Sequence, residues 1–307
     1  MHSISPYLLR SFNKELPGPP NKKYAILDKI GAHDTFSLLR KFIESKSNGF
    51  EIREASKQVY RFQDMVYDDS KRMIHGWFQV GVYGIKANVI DTETGNVDFA
   101  KAQKHAEIIQ HYIQFFIPKG YNEAIAIMHS YRNVGVKTLF SQIFFPYFMG
   151  NTTLTLQMNP LSYDKALASW QEANAKEIKV TKFKGITDVA DQMTALGHFE
   201  FETILKPKRN GTFGKFKEFF KKGSDQANAV ELLSSMGEQV KTVVEINDKR
   251  RTFNMGVARA SSLCEIELDE NVVLIDGNPD FASMNGWCTS IIKEYAESMY
   301  PGLSINL

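Results

Sequence analysis

Residues 57–90 read KQVYRFQDMVYDDSKRMIHGWFQVGVYGIKANVI, with β-branched and aromatic side chains recurring on either side of the polar tetrad Asp68-Asp69-Ser70-Lys71. Two extended runs joined by a short polar turn are the signature of antiparallel pairing, so 57–67 and 73–90 read as neighbouring strands. DTETGN (91–96) is the next loop. The same pattern returns in HYIQFFIPKGYNEAIAIMHSY (111–131). There Pro118-Lys119-Gly120 supplies the turn, and the second arm is apolar enough for a central strand.

Helices flank these strands. GAHDTFSLLRKFIES (31–45) places Phe36, Leu39, Phe42 and Ile43 at helical spacing behind Asp34 or Thr35 as N-cap. NVGVKTLFSQIFFPYF (133–148) reads as a short loop and a buried helix. TLTLQM (153–158) follows as a strand, SYDKALASWQEANA (162–175) as a helix and EIKVTKF (177–183) as a strand. HFEFETIL (198–205) alternates with a period of two, as a strand does. Further sheet is expected in 239–259 and 270–276, and FASMNGWCTSIIKEYAESM (281–299) is the closing helix. The expected fold class is α+β, with largely antiparallel sheets and flanking helices. At 307 residues a chain tends to divide. We expect an N-terminal regulatory or dimerisation lobe at 1–150 and a C-terminal lobe at 151–307, parted between 150 and 185.

The composition is that of an ordinary globular protein, 43% hydrophobic and 23% charged. Two cysteines, Cys264 and Cys288, exclude a disulfide framework and suit a reducing cytoplasm. PGPP (17–20) reads as mobile, and the N-terminal segment lacks an apolar core of signal-peptide length before Lys14. The uncharged stretch 138–163 is interrupted by Gln142, Pro146 and Gly150 before it reaches membrane-spanning length, so a soluble protein is expected. The histidines show no HExxH-like spacing, and the glycines form no phosphate-binding loop, so no cofactor or metal is expected. Glu265, Glu267, Asp269, Glu270, Asp276 and Asp280 are the acidic residues from which a magnesium nuclease site would be built. No lysine follows them at catalytic spacing, and an exposed acidic strand face and loop is the simpler reading.

Thirty-seven basic residues face 35 acidic ones, so polyanion binding has to come from local clustering. One cluster stands out. ILKPKRNGTFGKFKEFFKKG (204–223) carries Lys206, Lys208, Arg209, Lys215, Lys217, Lys221 and Lys222 against the single Glu218. TFGKFKEFFKK reads as an amphipathic helix burying Phe213, Phe216 and Phe220 and turning its lysines to solvent. Lys249, Arg250 and Arg251 form a second cluster on an expected hairpin tip, with Arg259 farther along. If the two share a face, they offer a phosphate backbone a sequence-blind binding surface. With the phenylalanines facing the core, double-stranded DNA is the expected ligand.

The strand ending Ile204-Leu205-Lys206-Pro207-Lys208, the basic segment after it and the closing helix about eighty residues later together resemble the RexA family of the lambda phage exclusion system. GVKTLFSQIFFPYF after an apolar strand is also similar to the KwaB family of the Kiwa defence system. The resemblance implies a non-enzymatic, cytoplasmic, dimeric DNA-binding protein of antiviral defence and abortive infection, working with a membrane-embedded partner. It carries over Lys206, Lys208 and Arg209 as DNA contacts. The alternatives are a metal-dependent nuclease using Glu265, Glu267, Asp269 and Asp276, or a module that docks its basic helix on an acidic protein or membrane.

Overall fold

The computed structural model describes residues 2–132, 134–161, 170, 172–181, 202–209, 211–236, 239–246, 249–255 and 265–304. The fold is α+β. In chain order its elements begin β1 (His2–Phe12), β2 (Tyr24–Ala25), α1 (Thr35–Ser45), β3 (Glu51–Arg53), β4 (Gln58–Asp68), β5 (Met73–Val82), β6 (Ala87–Ile90), β7 (Val97–Lys101), β8 (Glu107–Phe116) and β9 (Glu123–Tyr131). They continue with β10 (Val134–Gly135), α2 (Lys137–Thr152), β11 (Thr155–Pro160), β12 (Asn174–Thr181), β13 (Glu202–Leu205), α3 (Asp225–Met236), β14 (Gln239–Ile246) and β15 (Lys249–Met255). The last are β16 (Ile266–Glu267), β17 (Leu274–Ile275), β18 (Asn278–Pro279) and α4 (Phe281–Met299).

The chain divides into two compact units, Leu9–Met158 and a second made of Met1–Leu8 with Asn159–Leu307. The residues through Leu8 belong to the same unit as those from Asn159 onward.

In Leu9–Met158 the antiparallel sheet runs β3-β4-β5-β8-β9-β10. The register sets Phe78 between Phe62 and His111, and Trp77 between Gln63 and Tyr112. Period-two alternation therefore gives the sheet one phenylalanine-rich face and one carrying His75, Trp77, Gln79, Tyr112 and Gln114, all buried. The helices occupy the first face. Phe140 of α2 packs 5.2 Å from Phe115, and Phe42 of α1 lies 6.1 Å from Phe62 and 5.2 Å from Phe144. α1 starts at the expected cap, where Asp34 accepts the Phe36 amide at 3.1 Å. Arg72 clamps both oxygens of that carboxylate, at 2.7 and 2.6 Å.

The strand expected over 73–90 is split. β5 stops at Val82, Gly84 turns the chain at φ +105°, and β6 pairs instead with β7 in a separate hairpin. Gly76 sits across from the bulge at Gln63–Val66, and a Cβ there would come within 2.9 Å of the Asp64 carbonyl oxygen.

The second unit is built on β13-β12-β14-β15-β16, with β16 paired to the start of β1 through Ser3↔Glu267 and Ile4↔Ile266. α4 matches the expected 281–299. Asp280 caps it by accepting the Ser283 amide at 2.9 Å, and Met284, Trp287, Cys288, Ile291 and Ile292 are buried. Burial pushes the Cys288 thiol pKa well up, as befits a packing residue. Of the strand expected at 270–276, only Leu274–Ile275 is extended, paired with Asn278–Pro279. The expected helix at 162–175 falls largely outside the described residues, and 174–175 already belong to β12. Residues 198–201 of the expected strand, Arg259 and Cys264 also lie outside them. Among the described residues no helix is long and apolar enough to cross a membrane.

Candidate nucleic-acid interface

The basic segment leaves the sheet where β13 ends. β13 pairs with β12 from Thr181↔Glu202 to Ile178↔Leu205. The chain then departs and returns to the same side of β12 at Phe213, whose amide donates to the Ala175 carbonyl at 2.9 Å. β12 advances three residues, from 178 to 175, while the neighbouring chain advances eight, from 205 to 213. With five residues too many to stay in register, 206–212 must loop out from the sheet edge. Gly211 closes that loop, donating its amide to the Lys208 carbonyl at 2.7 Å. A Cβ at Gly211 would meet the same carbonyl oxygen at 2.9 Å.

The expected helix over 212–222 does not form. Gly214, at φ +96°, and Gly223, at φ +83°, bracket the segment in conformations that end helices. The Ala175 and Phe216 amides reach out to the carbonyls of Gly214 and Ala173, both at 2.9 Å. What remains is one 3-10 stretch, Phe216–Phe220. The Phe216 ring lies 6.4 Å from Phe219 and 5.2 Å, edge to face, from Phe220. Phe216 and Phe219 are buried, and Phe216 packs 4.7 Å from Phe253 of β15. Phe220, expected in the core, stays 39% exposed. The following helix, α3, was not foreseen.

All seven expected cations of this segment are exposed: Lys206, Lys208, Arg209, Lys215, Lys217, Lys221 and Lys222. Lys206 lies 3.5 Å from Glu177 and Lys221 lies 3.9 Å from Glu218. Lys217 hydrogen-bonds to Glu172, raising the lysine pKa and lowering that of the carboxyl. Lys215 donates to the Glu172 backbone carbonyl at 2.9 Å. Among the described residues, Lys208, Arg209, Lys215 and Lys222 have no carboxylate in ion-pair range. Seven cations against three carboxylates leave a surplus of four on one sheet edge.

The second cluster fares differently. Lys249 and Arg250 open β15, and their side chains lie outside the described residues. Arg251 is corrected. It is 6% exposed, donates to Glu294 of α4 at 2.8 Å and lies over the Trp170 ring at 5.0 Å. Strand alternation puts it on the same side as Phe253 and Met255, so it is part of the core and closed to a phosphate.

Four of the six acidic candidates are in structural use, while Glu270 and Asp276 are exposed. Glu265 accepts from Ser3, and Glu267 pairs with Lys241, itself 2% exposed. Asp269 accepts the Trp287 indole N–H at 2.8 Å, and Asp280 is the α4 cap. Among the described residues no three His, Cys, Asp or Glu side chains are grouped to hold a metal ion.

The sequence reading missed one concave feature. In Leu9–Met158 a cavity of about 550 Å³ lies between Val80 and Val82 of β5, Ile109 and His111 of β8 and the first turn of α2 at Thr138 and Leu139. Inside the wall, His111 donates from Nδ1 to the His129 carbonyl at 3.1 Å, which fixes its tautomer. These residues come from segments far apart in the chain, so no spacing pattern announces them. No family model matches the chain, and no curated protein matches it.

Proposed function

We propose that this chain is a non-enzymatic protein that binds double-stranded DNA through its phosphate backbone, largely without regard to sequence, and acts in phage exclusion. One observation carries the reading: a surplus of four cations, anchored by the buried Phe216 and Phe219, on a single sheet edge. A solvated surface rarely concentrates like charge so tightly, because the charges repel one another. An external polyanion relieves that repulsion and releases its own counterions. Lys249 and Arg250 complete the proposed contact set. The resemblance to the RexA and KwaB families supports the setting: a cytoplasmic homodimer that works with a membrane-embedded partner protein.

The test is a salt titration of binding to a labelled random-sequence duplex, with and without magnesium. Each phosphate contact contributes about −0.9 to the slope of log K against log salt. Changing Lys208, Arg209, Lys215 and Lys222 together to Gln should flatten that slope by roughly 3 to 4 and weaken binding equally on unrelated sequences. Unchanged affinity in this variant removes the proposed edge as the contact. Magnesium-dependent loss of the duplex would replace the reading with a nuclease.

A further inference from the structure

We propose that the β6–β7 hairpin is the contact through which two copies of this chain pair, each hairpin laid antiparallel on the other across a two-fold axis. This gives the homodimer named above its surface, and rests on that part of the reading.

The hairpin stands apart from the main sheet. β6 pairs only with β7, and among the described residues neither strand has a second neighbour. A lone two-stranded hairpin is marginal in water. This one gathers its apolar side chains on a single face. Phe99 stands opposite Val89, and Val97, two residues back along β7, shares its side. The slip in register between Val89 and Ile90 sets Ile90 opposite Val97, on that same side. Asn88, Asp98 and Ala100 take the other face. Val89, Ile90, Val97 and Phe99 are 51%, 51%, 54% and 50% exposed. His105 stacks on the Phe99 ring at 5.3 Å, and half of that residue still meets solvent. A contiguous apolar face of this kind marks a contact surface.

Charge identifies the occupant. Between 86 and 104 the cations are Lys86, Lys101 and Lys104, all at the base of the hairpin. The anions are Asp91, Glu93 and Asp98, all at or beside its turn. None of the six has an ion-pair partner among the described residues. Packed parallel, two such hairpins would set like charges together. Packed antiparallel, each acidic turn comes over the other copy's basic base. The surface is then complementary to itself, as a two-fold contact requires. Lys101, opposite Ala87, lies on the apolar face, and with Ile85 it lines the cavity of about 550 Å³ beside the base. The other copy's turn therefore comes to the rim of that cavity, where the exposed Val82, Ile85 and Val134 extend the contact. A membrane is the competing occupant. Anionic membrane surfaces attract basic segments, whereas the turn of this hairpin is acidic.

The experiment is sedimentation equilibrium of the full chain at ~0.15 M salt, where screening reaches about 8 Å. The variants are Val89→Thr with Phe99→Thr, Glu93→Lys, Lys101→Glu, and Glu93→Lys with Lys101→Glu. Threonine keeps the strand propensity of both sites while removing apolar area. The wild type should be dimeric, and the threonine variant should dissociate about 10- to 100-fold more readily. Each single reversal should weaken the dimer about 3- to 30-fold, because every substitution occurs twice across the axis. The double reversal should recover wild-type association to within about threefold. Within one chain Glu93 and Lys101 are separated by the length of β7, roughly 13 Å or more, so recovery reports a contact between copies. Recovery also requires a folded hairpin, so it decides the matter even where a single variant folds poorly. A wild-type dimer unmoved in the threonine variant overturns the inference and leaves the homodimer on another surface. A double reversal no tighter than either single one overturns the antiparallel contact and the inference with it. A wild type that is monomeric at ~100 μM removes both the inference and the homodimer, and leaves the DNA-binding edge to its own test. Phe99-dependent pelleting of that monomer with phosphatidylcholine vesicles would assign the face to a membrane instead.

Discussion

The segments 206–222 and 249–255 look alike as sequence, each a short run crowded with Lys and Arg, yet the fold uses their charges in opposite ways. Arg209 stands in a loop expelled from the sheet edge by the mismatch in advance between β12 and its neighbour. Arg251 stands in a strand, where every second residue turns inward, and it shares that inward side with Phe253 and Met255. There it needs compensation, which Glu294 supplies as a carboxylate and Trp170 as a π-face. Charge density along a chain therefore says little about surface potential until the local backbone is known. A loop displays its charges; a strand with buried alternate positions absorbs half of them.

The comparison is broken most directly by removing one arginine from each segment. Arg251→Ala leaves Glu294 beside an emptied site in the core and should cost about 3–5 kcal/mol, read as a lower urea midpoint with an unchanged slope. Arg209→Ala should change stability by less than about 0.5 kcal/mol. Equal costs for the two would mean that the loop is held by its charges and the contrast is wrong.

A buried pair in the other unit sharpens the point. Asp34 is both the α1 cap and the partner of Arg72. Burial alone would raise its pKa, but the hydrogen bonds and charge of Arg72, with the Phe36 amide, hold it below the ordinary carboxylate value. The folded pKa lies under the unfolded one, so the stabilisation is complete above about pH 4 and is lost as pH falls further. Asp34→Ala should cost about 2–3 kcal/mol at neutral pH, combining a lost cap with a broken pair that is only partly shielded from water. Asp34→Asn should remove the Asp34 share of the acid-induced loss in a urea series run from pH 6 down to about pH 3.

His75 tests a buried titratable group of another kind. Burial lowers its pKa, and the nearby Asp68 offsets only part of that effect. The native state then resists protonation more than the unfolded chain does, so stability should fall as pH drops from about 6.5 toward the lower folded value. His75→Gln should flatten that window and leave the limb below pH 4 in place. A pH profile identical to wild type would show that the imidazole takes up its proton without penalty.

The parts of the fold legible in the sequence were those with a local marker, whether a cap, an apolar stripe or a turn. α1 shows its cap and its apolar stripe, α4 shows both ends, and the β8–β9 hairpin shows its Pro-Lys-Gly turn. β1 hides because Ser3 through Leu9 are all buried, so no alternation marks them as a strand. Its sequence mixes serines with leucines and reads as neither strand nor helix. At the candidate site, the exposure of Lys206 through Lys222 followed from composition, but the 3-10 turn did not. It depends on hydrogen bonds to Ala173 and Ala175, residues some forty positions away. Arg251 was legible. Its spacing to Phe253 and Met255 is that of one strand face, and the attraction of three consecutive cations outweighed that pattern.

The smallest expected effects lie inside the basic edge and carry opposite signs. Lys217 hydrogen-bonds to Glu172, whereas Lys222 follows Lys221 directly and has no carboxylate in ion-pair range among the described residues. Lys222→Gln removes repulsion and nothing attractive, so it should raise stability by a few tenths of a kcal/mol at low salt. Lys217→Gln removes an exposed pair and should lower stability slightly. Both differences should fade as salt approaches 1 M, where screening reaches about 3 Å. A segment assembled for folding would lose stability on either change. Opposite signs, together with a loss of DNA affinity in both variants, would show that Lys222 holds its place for a ligand and against the stability of the chain.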